Sequence, residues 1–311
     1  MLDALSKSFF HALARSTSIE SLASKYGMSS PSSFGRRFIA GETVEEAMTA
    51  ARVIQDQGML LTLDQLGESI TNQAEADAAA DGCLNLIDHV VAAGIDRNVS
   101  VKLTQLGLDV GTGVCTDNLR RILTLARQHD VFVRVDIENT PYIQKTFDVF
   151  ATLWGEGFRN TGTALQSAVL RSEDDARSMC ANRIRVRLVK GAYKEPPALA
   201  HQAKADVDAA YVRIMKTLLV DGVYPAFATH DPGMIDATKA FAAEKGIGKD
   251  KYEFQMLYGI RRDLQASLVR DGYRMRVYVP FGKQWFPYFM RRLGERPANV
   301  GFVLRGIFGE R

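Results

Sequence analysis

A chain of 311 residues, 46% hydrophobic and 24% charged, has the composition of a soluble globular protein and the length for a large core. Its formal charge of +3, without a Lys/Arg block or interleaved basic and aromatic residues, argues against nucleic-acid binding. Cys83, Cys115 and Cys180 lie far apart with no CxxC spacing, which argues against a disulfide framework or cysteine zinc site and for a reducing, cytoplasmic compartment.

The N-terminus does not read as a secretory signal, because Asp3 and Lys7 interrupt it and no apolar stretch follows. No apolar run approaches the roughly 18 residues of a membrane span. Leu2, Leu5, Phe9, Phe10 and Leu13 share one helical face. The first reading of that face is a helix packed on the body. The second is a weak membrane-surface or partner-binding helix, a peripheral contact at the inner membrane face. Residues 1–43 are thus expected to form an N-terminal helical segment packed on the main body, ending just after the Ser-Pro-Ser-Ser stretch at 30–33.

From residue 44 onward, short apolar runs alternate with segments of helical period, the rhythm of a parallel sheet with crossover helices. Strands are predicted at 58–63, 99–104, 131–137, 163–170, 184–190, 224–229, 252–257 and 273–279. Between them, Thr140-Pro141 and Asp231-Pro232 each offer an oxygen-bearing N-cap ahead of a proline whose missing N–H costs nothing there. Ser172 with Asp175 resembles a capping box, and Asp271-Gly272 stops a helix before the last strand. Eight strands in strict alternation with helices predict a closed (β/α)₈ TIM barrel over residues 44–311. The polar residues that close or follow the apolar runs support this: Asp64, Lys102, Asp136, Gln166, Lys190, His230, Gln255 and Tyr278. A buried strand does not otherwise tolerate such groups, and barrel enzymes place their chemistry at strand carboxyl ends.

Three segments carry the chemistry. Arg187-Leu188-Val189-Lys190-Gly191-Ala192-Tyr193 sets two cations beside a glycine that admits close backbone approach, which suits an anionic or electron-rich ligand, although a structural ion pair would read the same. Thr229-His230-Asp231-Pro232 puts a hydroxyl, an imidazole and a carboxylate at a helix start, where phosphate often binds. After the last strand, Tyr288, Arg291, Arg292 and Glu295 can share one side of a helix. Two guanidiniums held by a carboxylate would clamp a small carboxylate substrate, whereas the bland reading is a solvated arginine pair. Gly111-Thr112-Gly113 lacks the third glycine of a dinucleotide fingerprint, and the five histidines are too dispersed for a metal cluster.

Taken together, RLVKGAY at 187–193, ATHDP at 228–232, FQMLYG at 254–259, VYVPFG at 277–282 and YFMRRLGERPAN at 288–299 resemble the proline dehydrogenase family, in its compact monofunctional bacterial form. The resemblance covers roughly residues 45–305. It implies FAD at the strand carboxyl ends and transfer of a hydride from L-proline to flavin N5, giving 1-pyrroline-5-carboxylate. A membrane quinone would then reoxidise the flavin. By motif position it implies Asp136 and Arg187 as catalytic residues, with Arg187 beside the flavin. Ile137, Gln166, Lys190, Gly191, Ala192, Thr229 and His230 would also contact the cofactor. Lys102, Arg291 and Arg292 would bind the substrate carboxylate, while Tyr278, Tyr288 and Leu257 would line its pocket. Two other readings remain: a different flavin barrel such as a folate reductase, and a non-catalytic proline-binding sensor barrel without flavin.

Overall fold

Strands that are apolar on both faces need cover on both faces, and a closed barrel ringed by helices supplies it. The computed structural model describes residue 28, residues 33–67 and residues 70–295. The apolar face at Leu2–Leu13, most of the Ser-Pro-Ser-Ser stretch and the side chain of Glu295 lie outside these described residues. Eight parallel strands pair in chain order: β1 (Leu60–Gln65), β2 (Asn98–Val101), β3 (Phe132–Val135), β4 (Thr161–Gln166), β5 (Arg185–Val189), β6 (Ala226–Ala228), β7 (Glu253–Leu257) and β8 (Arg274–Phe281). β8 pairs back onto β1 from Leu60↔Arg276 to Gln65↔Phe281, closing the barrel. The crossover helices are α2 (Gln73–Ala93), α3 (Thr112–Gln128), α4 (Thr140–Gly155), α5 (Ser172–Ala181), α6 (Lys204–Asp221), α7 (Pro232–Glu244) and α8 (Arg262–Arg270). One further helix, α1 (Val44–Asp56), packs on β1 and β8 ahead of the first strand, and α9 (Trp285–Glu295) follows the last. The predicted eightfold barrel is what the chain forms.

Local chemistry sets several boundaries. Asp231 caps α7 as its sequence predicts, accepting from Gly233 N–H at 3.0 Å with Pro232 in first position. Gly272, at φ +79°, ends the turn after α8. Two expected caps are otherwise. Thr140 is the first helical residue of α4, and the cap residue Asn139 makes no side-chain cap bond. The Thr140 amide and hydroxyl are both taken by the carboxylate of Glu195, 55 residues away, and a negative charge is favoured at a helix start. Ser172 likewise lies inside α5, because Asp175 pairs with Arg171 at 2.9 Å instead of completing a capping box. A reciprocal capping box does form at α1, between Thr43 and Glu46. The sixth strand is shorter than predicted because Tyr224 turns left-handed at φ +46°.

The amino-terminal end of the barrel is sealed by charge. Arg276 is buried and donates to Glu253 at 2.7 and 3.1 Å and to Asp96 at 2.5 Å. Burial pushes the Glu253 carboxyl up, but Arg276 outweighs it and keeps the group below the usual carboxylate range. Beside it, Arg134 threads between strands to the carbonyls of Thr163 and Arg185, at 2.8 and 2.7 Å. Gly162 makes this passage possible, since a Cβ there would stand 2.4 Å from the Arg185 oxygen and 2.7 Å from Arg134 Nη1. Among the described residues no helix is long and apolar enough to cross a membrane, and the three cysteines are buried and free.

Removing one partner of a buried ion pair leaves the other uncompensated. Glu253→Ala should therefore lower the unfolding free energy by ~3–5 kcal/mol, read as a fall in the urea midpoint. A midpoint equal to that of the unmodified protein would show the pair to be energetically idle.

Candidate active site

At the opposite, carboxyl end of the barrel, four strands contribute alternating charges. Asp64 lies in β1, Lys102 follows β2, Asp136 follows β3 and Arg187 lies in β5. The Lys102 ammonium stands 3.1 and 3.0 Å from the two Asp64 oxygens and 3.5 Å from Asp136. Arg187 Nη1 donates to the other Asp136 oxygen at 2.8 Å. Tyr278, from β8, joins both halves. Its hydroxyl donates to Asp136 at 2.8 Å and accepts from Lys102 at 3.2 Å, and the Arg187 guanidinium carbon lies 4.9 Å from its ring centre.

The electrostatics follow from these contacts. Burial alone pushes the Asp136 carboxyl up. Arg187, Lys102 and hydrogen bonds from Tyr278 and Ser100 outweigh that and hold it below the usual carboxylate range. Burial also opposes the charge on Lys102, but Asp64, Tyr278 and Asp136 raise it well above an ordinary lysine. The Tyr278 hydroxyl is pushed far upward, first by burial and then by the Asp136 and Asp64 carboxylates, so it stays a neutral donor. The three ammonium protons of Lys102 already have oxygens of Asp64, Asp136 and Tyr278 within reach. It therefore meets any incoming carboxylate mainly as a charge.

A second wall comes from the loops after β4 and β5. Gln166 is buried and donates to the Glu138 carbonyl at 2.7 Å. Gly191 sits at φ +106°, and a Cβ there would meet Gln166 Oε1 at 2.9 Å and Ala168 Cβ at 3.2 Å, so the backbone approach requires glycine. Lys190 is gripped by Asp208 at 2.5 Å and Asp231 at 2.6 Å. Across from it, Thr229 accepts the Asp231 amide at 3.1 Å. His230 Nε2 accepts from the Leu257 N–H at 3.0 Å, which leaves the proton of the neutral ring on Nδ1.

Helix α9 supplies the third side. The guanidinium carbons of Arg291 and Arg292 lie 6.0 and 5.1 Å from the Tyr288 ring centre, so one aromatic ring neighbours both cations. These three walls enclose a cavity of about 470 Å³. Every residue that the family resemblance assigns to the site lines it: Asp136 and Arg187, Lys102, Tyr278, Tyr288, Leu257, Arg291 and Arg292, and Ile137, Gln166, Lys190 to Ala192, Thr229 and His230. Sequence reasoning gave no role to Asp64, although its charge at the end of an apolar run marked it. It missed Asp208 and Glu195 altogether. Asp208 is one of several charges on the solvent-facing start of α6, and nothing in its spacing distinguishes it.

The barrel mouth thus combines a paired arginine wall, a buried cation–carboxylate row and an apolar side around one cavity. Residues 47–305 match the family model described as "Proline dehydrogenase", and the chain belongs to that family. It is 41% identical over 311 residues to "Proline dehydrogenase" of Deinococcus radiodurans, with 99% of each chain covered. It is 42% identical over 272 residues to "Proline dehydrogenase 1" of Bacillus subtilis subsp. natto, covering 88% of this chain and 90% of the other. Among solved structures, proline utilization A (PutA) from Bdellovibrio bacteriovorus, inactivated by N-propargylglycine, superposes with a TM-score of 0.80 at 29% identity. That match spans 89% of this chain and 34% of the much longer PutA chain.

Asp136 yields a pH prediction. Its folded-state pKa lies below its unfolded value, so its ionised form adds stability that is complete above the ordinary carboxylate range. That stability is lost as pH falls through the folded-state value. The thermal midpoint of Asp136→Asn should lie well below that of the unmodified protein near neutrality, and the gap should narrow as pH drops below about 4. A gap that stays constant down to strong acid would detach Asp136 from the stability of the mouth.

Proposed function

We propose that this chain oxidises L-proline to 1-pyrroline-5-carboxylate, with FAD as cofactor and a membrane quinone as electron acceptor. The observation that carries the reading is the convergence described above: residues in or just after seven strands, β2 to β8, and residues of α9 line one cavity, with the arginine pair on one side and the buried charge row on another. In the proposed roles, Arg291 and Arg292 take the substrate carboxylate, with Lys102 adding charge beneath it. Tyr278, Tyr288 and Leu257 shape the apolar wall for the pyrrolidine ring. Asp136 and Arg187 hold each other, and Arg187 thereby stands fixed over Tyr278 at the reacting end of the site.

The residues present suit FAD. Gly191 lines the cavity with its backbone packed on Gln166 and Ala168 too closely for any Cβ, Ile137 lines it as well, and Thr229, His230 and Lys190 offer donors beside the α7 start for a pyrophosphate. When bound, FAD supplies the two-electron acceptor that a proline C–H bond requires, and the protein's part is orientation, charge and exclusion of water. A cytoplasmic setting, peripheral at the inner membrane face where quinone resides, belongs to the same proposal. The buried free thiols suit a reducing compartment.

The deciding experiment is anaerobic addition of L-proline to the flavin-loaded protein, in which the visible flavin bands should bleach. A protein that binds proline but carries no flavin would be the sensor instead. Steady-state turnover should proceed with a quinone analogue or an artificial dye. Proline-dependent formation of NADH by the pure protein would contradict the proposed electron path.

The arginine clamp has its own test. Arg291→Met and Arg292→Met keep helical propensity and aliphatic volume, so folding and flavin content should survive. Truncating one partner of a desolvated charge pair costs ~2–5 kcal/mol. The Michaelis constant for proline should therefore rise about 30-fold or more, with a smaller change in kcat, because the carboxylate is held alike in ground and transition states. Values near those of the unmodified protein in both variants would return the pair to the solvated surface.

A further inference from the structure

The segment proposed to touch the cofactor, Lys190 to Ala192, lies in an irregular stretch between β5 and α6, residues 190–203. A loop of that length must be tied down to hold a ligand within a few tenths of an ångström. Part of the tie is ordinary. The Ala168 amide donates to the Lys190 carbonyl at 2.8 Å, and the Leu170 and His201 amides donate to the Leu199 and Ala168 carbonyls at 3.0 and 2.8 Å. These bonds fix the two ends of the stretch to the loop after β4. Its middle is held by Glu195, which is 9% exposed. The Glu195 carboxylate accepts the Thr140 amide at 2.8 Å and the Thr140 hydroxyl at 2.5 Å. Its own carbonyl accepts from Gln202 at 3.2 Å, folding the far end of the stretch back on the same point.

Thr140 opens α4, and α4 begins just after the segment that carries Asp136, Ile137 and Glu138. The loop after β4 lies between the two, with Gln166 bonded to the Glu138 carbonyl and pressed against Gly191. Three consecutive strand exits are therefore joined side by side, and Glu195 closes the outer edge of that frame. The first-turn amides and positive end of α4 give its carboxylate a strong seat. The side chain does not line the cavity, so its influence passes through the backbone that it holds.

We infer that Glu195 is a positioning residue for the flavin: a strut that locks the Lys190–Ala192 segment to the start of α4. The inference rests on the flavin reading above, and it concerns retention of the cofactor more than recognition of proline. The strut has two parts, an amide bond and a hydroxyl bond, and a neutral amide side chain can keep both contacts, its oxygen accepting the Thr140 amide and its nitrogen donating to the Thr140 hydroxyl oxygen. Glu195→Ala should lose the strut, and Glu195→Gln should largely keep it.

The test follows release of FAD from the loaded protein on dilution, by recovery of flavin fluorescence, with thermal midpoints recorded alongside. FAD should leave Glu195→Ala about tenfold faster, the loss expected for a charge-assisted hydrogen bond. Glu195→Gln should stay within about threefold of the unmodified protein. Where Thr140→Ala already removes the hydroxyl bond, adding Glu195→Ala should accelerate release by less than it does alone. If Glu195→Ala merely lowers the thermal midpoint while FAD release is unchanged, Glu195 is structural and the strut is overturned. Should Glu195→Ala be too unstable to purify, Thr140→Ala decides, and release at the unmodified rate overturns the strut. An unmodified protein that takes up no FAD would overturn the flavin reading and the strut with it, whereas normal loading with unchanged release in the variants overturns the strut alone.

Discussion

Buried charge has to be cancelled where it lies, and the row Asp64, Lys102, Asp136, Arg187 does this at the mouth of the barrel. Neither carboxylate is exposed enough for water to hold its charge, at 0% and 7% for Asp64 and Asp136. Each acid touches a cation, and Lys102 touches both acids. The geometry is available only because β1, β2, β3 and β5 enter one closed ring at fixed register. β8 must also close on β1 to bring Tyr278 between Lys102 and Asp136. An open sheet with the same strands would leave the first and last members of that set far apart.

The barrel carries a second buried charge cluster at its other end, and the two clusters differ in what they face. Arg276 is saturated there by Glu253 and Asp96 and does not line the cavity at the mouth. Its net effect is closure of the barrel floor, with Gly162 giving room to Arg134 alongside. At the mouth, Asp136, Arg187 and Lys102 are paired just as closely, yet all three also line the cavity. Pairing them internally fixes their positions before any ligand arrives. A preset arrangement of this kind is what spares a reacting site from reorganising in the course of a reaction.

How much of this could be read in advance depends on what each residue does locally. Asp64, Lys102 and Asp136 announce themselves because a charge at the end of an apolar run has few bland explanations. The barrel was legible for a similar reason, since its signal is a period repeated eight times. The arginine pair drew its meaning from position after the last strand, although the Glu295 side chain proposed to brace it lies outside the described residues. Glu195 and Asp208 gave no such signal. Their partners, Thr140 and Lys190, are 55 and 18 residues away, and nothing in local composition encodes a contact across that distance. The Thr140-Pro141 cap misled in the same way, because local propensity placed the capping oxygen on the threonine while tertiary structure delivered a stronger one from another loop.

The arginine-bearing helix raises the question of what holds it over the mouth, and the answer is not the barrel core. Trp285, Phe286, Tyr288, Phe289 and Met290 belong to a separate apolar cluster with Met28, Phe38, Ile39 and Leu66. Phe38 and Phe289 lie 6.0 Å apart, and the Trp285 indole donates to Glu42 at 3.0 Å. The segment leading into α1 is itself fastened to the strand ends, with the Ala40 amide on the Pro280 carbonyl and the Gly282 amide on Gly41, both at 2.9 Å. Around Gly259 the fit is closest, for a Cβ there would fall 1.7 Å from the Arg37 carbonyl oxygen. Chain that precedes the first strand thus forms the seat of the helix that follows the last one. The position of Arg291 and Arg292 is set by Met28 and residues 38–42 as much as by the barrel, so the part of the sequence with the least regular pattern bears on the placement of the arginine pair.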